Sequence, residues 1–114
     1  MNLSKKHCVP CEGDAKPLSK EAASQLLKNT AGWELGANSK TLSRSLVMKN
    51  FMTAIKLIGK IAEIAEAEDH HPDVHLTSYR NLKIELTTHA IKGLSENDFI
   101  VAAKINELPL ELKK

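Results

Sequence analysis

Four of the chain's five histidines, His70, His71, His75 and His89, fall within twenty residues of one another. Imidazole exchanges protons near neutral pH, and one well-placed general acid or base contributes on the order of 10²–10⁴ in rate. Two such rings suit a reaction in which one proton is delivered and another is removed. Glu66 and Asp69 lie just before the His70-His71 pair. Glu66 precedes His70 by four residues, so the two share a face if the helix persists that far, and a carboxylate there would orient an imidazole. No activated nucleophile accompanies the cluster: the sequence has no nucleophile-elbow glycine pattern and no phosphate-binding loop. The two cysteines, Cys8 and Cys11, are distant in sequence.

Zinc is the rival use of the same residues, since His70, His71, His89 and a carboxylate could all act as ligands. Adjacent histidines rarely aim at one ion, however, and the helical His-x-x-x-His pairing is missing. His7, Cys8 and Cys11 offer three soft ligands without a fourth, or a redox pair, and the plainer reading is a mobile arm. Trp33 and Tyr79 could stack on a flat heterocycle, although a single Trp at a strand start is more often core. Asp98 suits a helix cap better than a site, and Gly93 suits a backbone angle that other residues dislike.

The elements that must position these groups can be read from periodicity. Residues 1–17 form an irregular arm, and 18–114 a single domain. Ser19 caps a short helix with Ala22, Ala23, Leu26 and Leu27 on one face. Trp33 to Leu35 and Thr41 to Met48 read as strands around a turn at Gly36 to Ser39. Asn50 caps the main core helix, with Phe51, Ala54, Ile55, Ile58, Ile61, Ala62 and Ala65 on its apolar face, ending near His71 because Pro72 disfavours helix before it. His75 to Tyr79 reads as a strand and Arg80-Asn81 as a turn. Leu82, Ile84 and Leu86 then alternate as a half-buried strand. Ser95 and Asp98 form a capping-box variant that opens a final helix, with Leu94 stapled to Phe99. The order helix, two strands, helix, two strands, helix predicts an α+β fold, a four-stranded antiparallel sheet with three helices on one face. The edges of such a sheet invite a dimer.

The overall balance excludes several classes. Sixteen Lys and Arg against fourteen Asp and Glu leave +2 without a basic block, so nothing draws a nucleic-acid backbone. The apolar window from Phe51 to Ala67 is broken by Lys56, Lys60 and Glu63, which argues against a membrane span. No apolar stretch follows the lysines of Met1 to Lys6, so a cytoplasmic location is expected.

The run Glu66-Ala67-Glu68-Asp69-His70-His71-Pro72-Asp73, then Thr87-Thr88-His89 and Gly93-Leu94-Ser95-Glu96-Asn97-Asp98-Phe99, closely resembles the pterin-4a-carbinolamine dehydratase family. The resemblance covers roughly residues 18 to 108, taking in Gly32-Trp33, Asn50-Phe51 and Ala102-Ala103-Lys104-Ile105, and the arm Cys8-Val9-Pro10-Cys11-Glu12-Gly13 resembles that of bacterial and plant members. It implies a homodimer or homotetramer of the α+β fold. It also implies a 4a-hydroxytetrahydrobiopterin substrate, supplied by an aromatic amino acid hydroxylase and dehydrated to quinonoid dihydropterin without metal or organic cofactor. By that similarity His70 and His89 are the acid/base pair and His71 orients the pterin. Asp69, Thr87, Thr88 and Ala90 complete the pocket, and Glu66 supports it electrostatically. Animal members also serve as dimerisation cofactors for a transcription factor, so a binding module is the competing reading. Those members typically carry an aromatic residue shortly after His-His-Pro, where this chain has Val74 and His75 after Asp73.

Overall fold

A computed structural model describes residues 3–8 and 16–113 of the chain. Cys11 lies outside the described residues. Ser19 accepts from the Ala22 amide and so caps helix α1, Lys20–Leu27. Gly32, at φ +87°, then turns the chain where an added Cβ would meet the Arg44 guanidinium at 3.0 Å. Strands β1 (Glu34–Leu35) and β2 (Leu42–Val47) follow, joined through a 3-10 turn at Ala37–Ser39. Both strands are shorter than the sequence suggests, and Trp33 is core, 4 % exposed.

Helix α2 spans Phe51–Glu68 and opens with a reciprocal capping box between Asn50 and Thr53. It buries Ala54, Leu57, Ile61 and Ala65, while Phe51, Met52 and Ile55 stay exposed. The buried stripe is therefore rotated from the one expected, and a second apolar stripe faces solvent. The helix also stops sooner than Pro72 requires. Asp69 adopts a left-handed conformation (φ 50°, ψ 43°), and the amides of Asp69 and His70 both donate to the Ala65 carbonyl. The bond from His70, which spans five residues, closes the helix in the manner of a Schellman turn.

Strands β3 (Asp73–Thr77) and β4 (Asn81–Leu86) form the second hairpin. Its turn falls at Ser78-Tyr79-Arg80 rather than Arg80-Asn81: Ser78 and Tyr79 have positive φ, and the Arg80 amide donates to the Ser78 carbonyl. The sheet order is β1-β2-β4-β3, antiparallel throughout. Because Asp73 pairs with Glu85, the residues entering β3 lie beside those leaving β4. His70-His71 and Thr87-Thr88-His89 are thus brought to one end of the sheet by register alone.

Helix α3, Glu96–Asn106, is the buried helix of the fold, with eight of its eleven residues inaccessible. The apolar periodicity of the sequence assigns that place to α2 instead. Leu82, Ile84 and Leu86 of β4 and Leu42 and Leu46 of β2 form one apolar cluster with Ala23, Ala54, Leu57, Ile61, Phe99 and Ile105. A 3-10 turn at Leu3–Lys5 joins the same cluster through Leu3, 2 % exposed. Arg44, on the core-facing side of β2, and Trp33 both donate to the Asn106 side-chain oxygen, and the Asn106 amide donates to Ala31. Among the described residues no helix is long and apolar enough to cross a membrane.

Candidate active site

A cavity of about 630 Å³ opens where α2 ends and β4 ends, within the range typical of small-molecule sites. His70, His71, Asp69, Thr87, Thr88, His89 and Ala90 all line it. The left-handed Asp69 turns the chain out of α2 so that His70 and His71 leave the helix at the cavity rather than continuing along its surface. Beyond the end of β4, Thr88 and Gly93 form an isolated bridge, and a short 3-10 turn at His89–Ile91 follows. Lys92, not Gly93, takes the left-handed backbone there (φ 54°). Gly93 is small for another reason: a Cβ would sit 2.7 Å from the Cβ of Pro17.

His70 is half-buried, and its Nε2 lies 2.7 Å from Asp98 Oδ1. Asp98 is completely buried. Its other oxygen accepts from the Thr88 hydroxyl at 2.8 Å and from the Ser95 amide at 3.0 Å. Asp98 is thus both the helix cap expected of it and the partner of a cavity histidine. The Thr88 hydroxyl faces this buried carboxylate, while that of Thr87 donates to the Lys40 carbonyl.

Glu66 does not line the cavity. It hydrogen-bonds His71 Nε2 at the rim rather than His70, because the helix ends before a four-residue spacing can be used. His75 lies on the edge strand, paired with Glu85 at 3.0 Å. Tyr79 is exposed in the β3–β4 turn under the Arg80 guanidinium. His89 is exposed, and its ring has no hydrogen-bond partner among the described residues. Its imidazole is therefore available to a ligand.

Four further residues line the cavity: Cys8, Ala67, Glu68 and Asn97. Glu68 is the last residue of α2, with its side chain 7 % exposed. Burial pushes its carboxyl up, but the Cys8 amide, the His7 ring and Lys104 outweigh that and hold it below the usual value. Among the described residues no three His, Cys, Asp or Glu side chains are grouped to hold a metal ion.

The family model described as "Pterin 4 alpha carbinolamine dehydratase" matches residues 16–108. Over 113 residues the chain is 49 % identical to pterin-4-alpha-carbinolamine dehydratase 2, mitochondrial, of Arabidopsis thaliana, covering 96 % of this chain and 60 % of that protein. A Halorhodospira halophila protein of the same family name is 41 % identical, with 95 % of this chain and 98 % of that one aligned. The crystal structure of a transcriptional coactivator/pterin dehydratase from Brucella melitensis superposes with a TM-score of 0.75 at 29 % identity, covering 81 % of this chain and 97 % of that one.

Proposed function

We propose that this chain, which belongs to the pterin 4 alpha carbinolamine dehydratase family, dehydrates a 4a-hydroxytetrahydropterin to the quinonoid dihydropterin by histidine acid/base catalysis. The reaction class is that of a hydro-lyase. The observation that carries the mechanism is the meeting of His70, His71 and His89 in one cavity, with a buried carboxylate on His70.

In this reading one imidazole protonates the departing 4a-hydroxyl. The C4a–O bond breaks, water leaves, and the lone pair of the neighbouring ring nitrogen forms the C=N bond. A second imidazole takes the ring proton, so the enzyme ends with the protons it began with. His70, from the end of α2, and His89, from the turn after β4, serve as the pair, and His71, steadied by Glu66, orients the ring. Asp69, Thr87, Thr88 and Ala90 shape the surface the bicycle lies against. Asp98, behind His70, places negative charge near the cationic imine as it develops, the kind of preorganised electrostatics that contributes most in such sites. Recycling of tetrahydrobiopterin behind an aromatic amino acid hydroxylase is the setting that supplies this substrate. The exposed stripe Phe51, Met52 and Ile55, together with the open edge of β3, supports a homodimer or homotetramer.

The direct test follows dehydration of enzymatically generated 4a-hydroxytetrahydrobiopterin by ultraviolet absorbance, with and without a chelator. Acceleration over the spontaneous rate that survives chelation is expected. A rate equal to the uncatalysed one, or activity that disappears with stoichiometric zinc, would overturn the reading.

A further inference from the structure

We propose that Glu68 is a positioning residue of this site, a clasp that holds the segment Leu3–Cys8 against the cavity so that Cys8 forms one wall of the pterin pocket. This rests on the dehydratase reading above and extends it to a part of the chain outside the histidine cluster.

The segment is anchored mainly on α3. Leu3 is buried in the core, Lys104 Nζ donates to the Ser4 carbonyl at 2.9 Å, Lys6 pairs with Glu96 at 2.9 Å, and the Cys8 thiol donates to the Asn97 carbonyl at 3.6 Å. Glu68 fastens the same segment to α2. One of its oxygens accepts from the Cys8 amide at 2.7 Å, and the other lies 3.0 Å from His7 Nδ1 and 3.8 Å from Lys104 Nζ. The segment therefore bridges the two helices one residue short of Asp69, where the chain turns to present His70. Both oxygens of a nearly inaccessible carboxylate are committed to this bridge, although the residue lines the cavity. A surface ion pair would not hold a side chain this way, since exposed pairs are worth about 0–1 kcal/mol.

The chemistry of Cys8 fits a wall rather than a reactant. Burial, reinforced by the charges of Glu68 and Asp98, pushes its thiol up to about 12. It presents a neutral, polarisable surface at neutral pH, suited to packing against a flat heterocycle. Releasing the segment would open that side of the cavity to water and loosen substrate binding without removing any proton-transfer group.

The experiment compares native protein with Glu68→Ala, Glu68→Gln and Leu3→Asp, measuring KM, kcat and the rate of Cys8 alkylation by iodoacetamide, located by mass spectrometry. Glu68→Ala should raise KM about tenfold with kcat within about threefold of native, and should speed Cys8 alkylation. Glu68→Gln keeps an oxygen for the Cys8 amide and should restore KM to within about threefold of native. Leu3→Asp, which frees the other end of the segment, should reproduce the Glu68→Ala pattern. A stable dihydropterin should slow Cys8 alkylation in the native protein. The proposal is overturned if alkylation speeds in Glu68→Ala while KM stays native, or if only kcat falls. Should the native protein show no dehydratase activity, the functional reading fails, and the alkylation rates still decide whether Glu68 holds the segment.

Discussion

Asp98 stands 2.7 Å from the ring of His70 through one carboxylate oxygen, while its other oxygen gathers the Thr88 hydroxyl and the Ser95 amide. One buried carboxylate therefore ties the end of α2, the end of β4 and the start of α3 together behind the cavity. Replacing it with Asn keeps the volume but removes the charge and presents an amide nitrogen to one set of donors. We expect Asp98→Asn to lower kcat on the order of 10²-fold and to cost about 1–3 kcal/mol of stability. Steady-state dehydration rates and urea unfolding of the same preparation measure both, and a native kcat would show that the carboxylate is a cap alone.

The two proposed acid/base histidines should differ in what else they do. The ring of His89 is exposed and makes no hydrogen bond among the described residues, so His89→Ala should lose activity on the order of 10²–10⁴-fold with stability nearly unchanged. His70→Ala should lose a similar factor in rate but also deprive the buried Asp98 of a partner, costing about 1–3 kcal/mol. Near-native rates in both variants would remove the histidines from the mechanism.

Much of this site is legible in the sequence, and what is not has physical causes. The periodicities of β4 and of α1 are local, and both elements form where the alternating and helical patterns place them. The His-His-Pro and Thr-Thr-His segments converge because antiparallel register carries them to one end of the sheet. Which stripe of α2 is buried depends on what packs there, so Phe51 and Ile55 read as core and are not. Asp69 ends the helix through a left-handed backbone that no local pattern announces, and this moved the partner of Glu66 from His70 to His71. Ser95 and Asp98 fit a capping box so well that the second role of Asp98 was hidden. Cys8 and Glu68, sixty residues apart, gave no spacing signal, since only tertiary packing joins them.

Asn106 offers a control far from the chemistry. Its side-chain oxygen accepts from both Trp33 and Arg44, and burial already holds the Arg44 guanidinium below its usual value. Asn106→Ala strands the Trp33 indole N–H and weakens the hold on Arg44, at a cost of about 2–3 kcal/mol. The residue lies at the far end of α3 from Asp98, so kcat and KM measured well below the melting temperature should stay within about twofold of native. A large fall in kcat in the folded variant would mean that α3 transmits this contact to the cavity.

The Glu68 clasp also carries a sign in its pH dependence. Its carboxyl is held below the ordinary value because the Cys8 amide, the His7 ring and Lys104 overcome the opposing effect of burial. A carboxylate with a depressed value in the folded state binds protons more readily when unfolded. Its contribution to stability is therefore complete above the unfolded value of 4.5 and is lost as pH falls through the lower folded one. The free-energy difference between native protein and Glu68→Gln, from urea unfolding at a series of pH values, should be constant near neutrality and shrink only below about 4.5. A difference that grows toward acid would mean that another group carries the clasp.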